Sequence, residues 1–397
     1  MIRRGGVGLL TLGILGAALA GCSSGTPAST ATSATVGLPP TQAITGPVGS
    51  WATLVMGHLD DPLNTFGELV YRPGCPGVAT CAPADWVLAT PPGVASNGGL
   101  FAASGPVGTL TVGFGVSLGL TFSPLAVTTD AGSTWTAGIL PAALVPVTDA
   151  LATSGNDRLA LVPAAGGEVL ASAADLSTWS TLVRRSTVAA AAGSGCGLGA
   201  LTAVSVLRPG ADLVAGTCDS GGRAGVFRVG SGGAVASVTP VGPQLPGNVS
   251  GPVRTERLVE TPTGLDALVV TGSGSSTRIF VARTTDGAST WTISAPYATA
   301  DAVVSTSVDA SGTLVAVLAT GHRRTAAVAA PGSSWTTLPT LPVGTTTVTT
   351  DADGSFSALV PSGSTLTVDV LSSGSWVRHQ VLAVPIQYGS TSAAGGS

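Results

Sequence analysis

Tryptophan recurs along this chain at a near-constant interval, and that interval restricts the fold more than any other feature. The seven residues are Trp51, Trp86, Trp135, Trp179, Trp291, Trp335 and Trp376, each just after a turn-forming stretch such as GST, LST, GSS or SGS. From Trp86 onward the steps are 49, 44, 112, 44 and 41 residues. The step of 112 is two units of 56 with one marker missing, and GVFRVGSGGAVASVTP around Ala234 occupies the gap. Units of this length stack on one another, because none can bury its apolar faces alone.

Each unit reads as four short strands. ADAVVSTSV, TLVAVLATG, RTAAVAAPG and SWTTLPTLP follow one another before residue 342, and TTTVTT, SFSALVPSG, TLTVDVLSSG and SWVRHQVL after it. These segments are rich in Val, Thr, Leu and Ala, with Gly, Asp, Ser or Pro between them. Even the first hairpin turn recurs, as Asp309-Ala310-Ser311-Gly312-Thr313 and then Asp351-Ala352-Asp353-Gly354-Ser355. Four strands at this period predict an all-β chain folded as a β-propeller over residues 48–390. Seven four-stranded blades fit best, with six or eight left open by the ambiguous units at Trp51 and Ala234. Residues 391–397 are expected to be a disordered tail.

Composition needs this frame to be understood. A mean hydropathy of +0.49 with only 9% charged residues suggests a membrane protein. Yet no stretch in the body of the chain approaches the roughly 20 uninterrupted apolar residues a spanning helix needs. The 56 Gly and 27 Pro punctuate short strands instead. All 16 basic residues are Arg, so lysine Schiff-base and P-loop chemistry are excluded. A formal net charge of -4 without a basic cluster argues against a nucleic-acid partner.

The N-terminus, MIRRGGVGLLTLGILGAALAGC, has two arginines, an apolar run and small residues before Cys22, the layout of a secretory signal over residues 1–21. Leu19-Ala20-Gly21-Cys22 resembles the bacterial lipobox, which implies diacylglycerol on Cys22 and a membrane anchor on the extracytoplasmic face. An ordinary cleaved signal with an incidental Cys is the competing reading. Residues 22–47, almost all Ser, Thr, Ala, Gly and Pro, read as a tether. Cys75, Cys81, Cys196 and Cys218 remain, an even set suited to disulfides outside the cytoplasm. Three pairings are possible, and Cys75–Cys81 with Cys196–Cys218 closes the most local loops. A zinc site competes, without CxxC spacing or a histidine nearby in sequence.

Two turns carry a further pattern. Thr128-Thr129-Asp130-Ala131-Gly132-Ser133-Thr134-Trp135 resembles the Asp-box, or bacterial neuraminidase repeat, at Thr128, Asp130, Gly132, Thr134 and Trp135. TTDGASTW keeps Thr284, Asp286, Thr290 and Trp291 but has Ala288 in the Gly slot. Asp can accept backbone N–H bonds in a tight turn between third and fourth strands, Gly tolerates positive φ, and Trp is expected to pack beside the next blade. AADLSTW and APGSSW are degenerate versions. The resemblance implies the propeller of Asp-box proteins, which include sialidases, other glycosidases, sortilin-type receptors and photosystem assembly factors. It also implies that Asp130 and Asp286 are structural and lie away from the ligand face.

Catalytic candidates are sparse. A sialidase-like site needs an arginine triad, a Tyr nucleophile with a Glu base and an Asp acid, and Tyr71-Arg72-Pro73 lacks the residue between Arg and Pro. Arg254, Arg257 and Glu260 cluster in GPVRTERLVE, either toward the channel or as solvated charges at a strand edge. His58, Asp60, Asp61 and Asn64 lie in a stretch that departs from the repeat, either a polar ligand loop or an irregular turn where the ring closes. No catalytic residue, metal or cofactor is assigned. The expected function is a monomeric, surface-anchored binding or assembly scaffold for a cell-envelope protein or glycan. An exo-glycosidase of sialidase-like kind is the alternative.

Overall fold

The computed structural model describes residues 42–386 apart from 47–48, 59–64, 75–83, 92–98, 106–108, 116–120, 164–166, 174, 208–210, 231–235, 248, 250, 262–263, 273–275, 310, 331 and 352–353. The signal segment 1–21, Cys22, Cys75, Cys81, Asp60, Asp61, Asn64 and the tail 391–397 lie outside the described residues.

Strands follow one another in sets of four. The first set is β1 Gln42–Gly46, β2 Gly49–Gly57, β3 Thr65–Pro73 and β4 Val87–Leu88. The second is β5 Leu100–Ser104, β6 Leu110–Phe114, β7 Ser123–Thr128 and β8 Thr136–Leu140. The third is β9 Leu151–Ser154, β10 Asp157–Val162, β11 Glu168–Ala173 and β12 Ser180–Arg184. Helix α1, Arg185–Ala192, precedes the fourth set, β13 Leu198–Val206, β14 Asp212–Cys218, β15 Gly225–Gly230 and β16 Ser237–Pro240. The fifth is β17 Val253–Thr261, β18 Gly264–Thr271, β19 Thr277–Thr284 and β20 Thr292–Ile293, with β21 Tyr297–Thr299 beside β19. The sixth is β22 Ala302–Val308, β23 Leu314–Thr320, β24 Arg323–Ala329 and β25 Thr336–Thr337. The seventh is β26 Thr347–Thr350, β27 Phe356–Ser362, β28 Thr365–Ser372 and β29 Ser375–Ala383. Within every set, sheet order follows chain order and neighbours are antiparallel.

Burial explains the composition of each position in a set. The second strands, such as LTVGF in β6 and LVAVLAT in β23, are buried over most of their length, so both faces are apolar or small. The last strands, such as β12 and β29, are largely exposed and carry Ser, Thr, Arg and Gln. The unit around Ala234, which lacks a Trp marker, forms β15 and β16, the outer strands of the fourth set.

The first and last sets pack against each other. Gly57 N–H donates to Gly363 O at 3.1 Å, and Trp86 N–H donates to Gln380 Oε1 while Gln380 Nε2 donates to Trp86 O, both at 2.8 Å. Buried Arg72 of β3 forms an ion pair with Asp351 and donates to Ser357 Oγ. Val70 and Trp86 share an apolar cluster with Leu359, Leu366 and Val368.

Four points differ from the sequence expectations. Gln42–Gly46, inside the segment 22–47 read as tether, is β1, with Ala43 buried and its register also parallel to β22. Small residues that suit a tether also suit a tight hairpin here: a Cβ on Gly49 would lie 2.3 Å from Arg72 O. Trp51 sits within β2, buried against Tyr71 with ring centroids 4.3 Å apart, rather than ahead of a last strand. The indoles reach backward along the chain instead of to the next unit. The Nε1–H groups of Trp179, Trp291, Trp335 and Trp376 donate to Ile139, Val241, Ala295 and Pro339 carbonyls, each beside the last strand of the preceding set. Finally, RSTVAAAA forms α1, where alanine propensity and Gly193 at φ 59 start and stop one short helix.

Candidate functional site

The two Thr-x-Asp turns are self-contained. Asp130 Oδ1 accepts from Thr128 Oγ1 and Thr134 N at 2.8 Å each, and Asp130 Oδ2 accepts from Thr134 Oγ1 at 2.7 Å. Asp286 accepts from Thr284 Oγ1, Ser289 N, Thr290 N and Thr290 Oγ1 in the same way. These donors hold both carboxyls below the usual carboxylate range, the Thr134 and Thr290 hydroxyls contributing most. Both turns join a third strand to a fourth, and Gly132 N–H or Ala288 N–H closes on the Thr hydroxyl. In the degenerate AADLSTW the turn is one residue shorter, and Asp175 accepts from Ser177 and Thr178. The carboxylate oxygens of Asp130 and Asp286 are thus engaged by donors of their own turns.

The Asp309 and Asp351 turns are hairpins, with Gly312 N–H and Gly354 N–H returning to the Asp carbonyls at 2.9 Å each. Among the described residues no cluster of His, Cys, Asp and Glu could hold a metal. Cys196 and Cys218 form a disulfide.

The arginine cluster expected on GPVRTERLVE does not converge. A register shift between Thr255 and Arg257 accompanies a split in burial along β17. Arg254 is exposed and paired with Glu256. Glu260 is exposed as a residue, yet partial burial of its carboxyl pushes its pKa up to about 7. Arg257 is 1% exposed, which overturns the solvated-edge reading for this residue. Its Nε donates to both oxygens of Asp149 and its Nη1 to Thr306 O and Oγ1, so it is a buried clamp between strands. Tyr71 and Arg72 are likewise consumed in packing and in the Asp351 pair. His58 is exposed at the end of β2, its carbonyl accepting from Thr65 Oγ1 at 2.8 Å.

A surface cleft of about 500 Å³ lies between the fourth and fifth sets, where sequence reading placed an Asp-box turn but no ligand site. Arg223 and Arg228 enter it from the chain leading into and along β15, and Gln244 from the segment after β16. Trp291 enters from the Asp286 turn, its Nε1–H tied to Val241 O at 2.8 Å and its ring orientation thereby fixed. Gln244 Nε2 donates to Gly221 and Gly222 carbonyls at 3.0 and 3.1 Å. Arg228 Nη2 donates to Gly287 O. No Asp or Glu lines the cleft, and neither arginine has a carboxylate partner among the described residues. The sequence signals were Trp291 in its Asp-box turn and a pair of arginines in GGRAGVFRVG, in a unit that lacks its own Trp.

No family model and no curated protein matches the chain. Solved structures do. The GH74 xyloglucanase from Xanthomonas campestris superposes with a TM-score of 0.52 at 12% identity, covering 84% of this chain and 52% of that one. The chain thus spans about half the length of the xyloglucanase. A putative 6-phosphogluconolactonase from Bacteroides fragilis NCTC 9343 gives a TM-score of 0.52 at 9% identity, covering 85% of this chain and 96% of that one. The Aleuria aurantia lectin, described as a six-bladed β-propeller with fucose recognition, gives 0.43 at 10% identity over 77% and 95%. Together with the successive four-stranded meanders, the two neighbours at a TM-score of 0.52 show an all-β, propeller-type fold.

Proposed function

We propose that this chain is a seven-bladed propeller, lipid-anchored at Cys22 on the outer face of a bacterial membrane, that binds a cell-envelope glycan or protein without turning it over. The four contacts between the first and last sets support a closed ring of seven. The Thr-x-Asp-x-Gly-x-Thr-Trp turn at Thr128 and its variant at Thr284, held by their own hydrogen bonds, support kinship with Asp-box propellers. The observation that carries the binding role is the cleft between the fourth and fifth sets. It offers cationic donors and a fixed indole and, among the described residues, no carboxyl for general acid or base work.

The glycosidase alternative has one feature in its favour: Glu260, with its pKa pushed up to about 7, is suited to donate a proton at neutral pH. The xyloglucanase neighbour adds fold likeness alone. Full-length protein assayed with a panel of fluorogenic glycosides separates the two readings. No turnover, with crosslinking at the native membrane yielding a defined partner, is the expected result. Turnover abolished by Glu260→Gln would overturn the scaffold. A Cys22→Ala variant that stays wholly with membranes would overturn the lipid anchor.

A further inference from the structure

We infer that the cleft between the fourth and fifth sets takes a carboxylate-bearing sugar residue of an envelope glycan. This rests on the binding reading above and names the chemistry of its ligand. In a chain with 20 acidic and 16 basic residues, a cleft with two arginines and no acidic lining is a local reversal of sign. Asp286 belongs to the adjoining turn, but its oxygens accept from Thr284, Ser289 and Thr290 and are occupied there. The guanidinium fork matches a carboxylate with two parallel N–H···O bonds, a geometry an ammonium cannot supply. The backbone of Arg223 bridges Gln244, but its guanidinium has no hydrogen-bond or ion-pair partner among the described residues, so its donors are available without breaking a contact.

The other half of the recognition is apolar. Trp291, Ile293 and Pro243 line the same cleft, and an indole anchored through Nε1 presents a rigid surface at little entropic cost. The axial C–H face of a pyranose is the complement to such a surface, and a carboxylate at its C5 position adds the partner for the arginines. An extended acidic peptide would meet the same charges but would leave the indole without a flat partner. The saccharide therefore satisfies both halves of the cleft.

The test uses full-length protein in detergent micelles, titrated with a galacturonic acid trisaccharide, its neutral galactose counterpart and a tri-glutamate peptide, following tryptophan fluorescence and heat. The acidic trisaccharide is expected to bind at least about tenfold more tightly than the neutral one, and to weaken with added salt. Arg223→Gln is expected to remove that preference while leaving the thermal midpoint unchanged, since the bridge to Gln244 is made by the backbone and the guanidinium holds no structural partner. Arg228→Gln serves as the second variant and should weaken binding in the same direction. Equal binding of acidic and neutral sugars, or unchanged binding by Arg223→Gln, overturns the inference while the scaffold reading stands. Arg223-dependent binding of the peptide alone overturns it in favour of an acidic protein partner. Cleavage of either trisaccharide would instead sink the scaffold reading itself.

Discussion

Arg257 Nε lies 2.8 and 2.9 Å from the two carboxylate oxygens of Asp149, across 108 residues of sequence. The same carboxylate accepts Leu258 N–H at 2.8 Å, Asp149 O accepts Val204 N–H at 3.0 Å, and Arg257 Nη1 reaches Thr306. One ion pair thus joins the entry to the third set with inner strands of the fourth, fifth and sixth. Removing one member leaves a buried charge alone. Arg257→Met is expected to cost about 3–5 kcal/mol in denaturant unfolding. The double variant Arg257→Met with Asp149→Leu should cost less than the two single changes summed, because the pair is removed together. Additive single costs would show that the two groups do not depend on each other.

A second expectation concerns pH. Asp212 is 8% exposed, and burial, with Asp157 adding to it, pushes its carboxyl up to about 6 from an ordinary 3.8. Between those values the folded chain retains a proton that the unfolded chain has released, so stability falls as pH rises and the full penalty is present above about 6. At 1.36 kcal/mol per unit the penalty is at most about 3 kcal/mol. Glu260, pushed up to about 7, acts in the same sense over a higher window, with solvent screening reducing its share. Asp212→Asn is expected to flatten the decline between pH 4 and 6 and to raise the melting temperature at pH 7.5. An unchanged slope in that variant would remove Asp212 as its source.

The two Thr-x-Asp turns make opposite choices about where glycine stands, and this sets up a paired comparison. In the first, Ala131 has φ 58 and Gly132 φ 85; in the second, Gly287 has φ 70 and Ala288 φ 65. An L side chain in this region costs roughly 1–2 kcal/mol. Ala131 is partly exposed, so Ala131→Gly should stabilise by about 1 kcal/mol once the added freedom of the unfolded chain is counted. Ala288 is 2% exposed, and losing its methyl forfeits about 0.8 kcal/mol of burial, so Ala288→Gly should be close to neutral. Equal effects at both sites, read from thermal midpoints, would refute this account.

What the sequence revealed and what it withheld divide along contact range. The strand sets after residue 300, the turn between β7 and β8, and the Asp309 and Asp351 hairpins follow from residues within ten positions of each other. Backbone propensity and turn chemistry decide such features locally. β1 was hidden because Gln42–Gly46 has tether composition and gains its strand state from pairing with β2 and β22. Arg257 resembled a surface charge because Asp149 and Thr306, which bury it, lie 108 and 49 residues away. The cleft combines Arg223 with Trp291 from another set, and no local pattern encodes that meeting.

The Cys196–Cys218 disulfide provides the last test. It ties the turn after α1 to the end of β14 across a separation of 22 residues, and both cysteines are buried. Closing a loop of that length in the unfolded chain is worth about 3 kcal/mol in the chain-entropy account. Three backbone bonds hold the same corner: Gly197 N to Gly193 O, Asp219 N to Gly197 O and Ser220 N to Cys196 O, each 3.2 Å. The folded geometry therefore does not depend on the sulfur bond, and the effect should lie mainly in the unfolded state. Reduction, or the double variant Cys196→Ala with Cys218→Ala, is expected to lower unfolding free energy by about 2–3 kcal/mol. Protection of β14 amides from hydrogen exchange under native conditions should fall in proportion to global stability. Selective loss of protection confined to α1 and β14 would show instead that the disulfide holds the folded corner together.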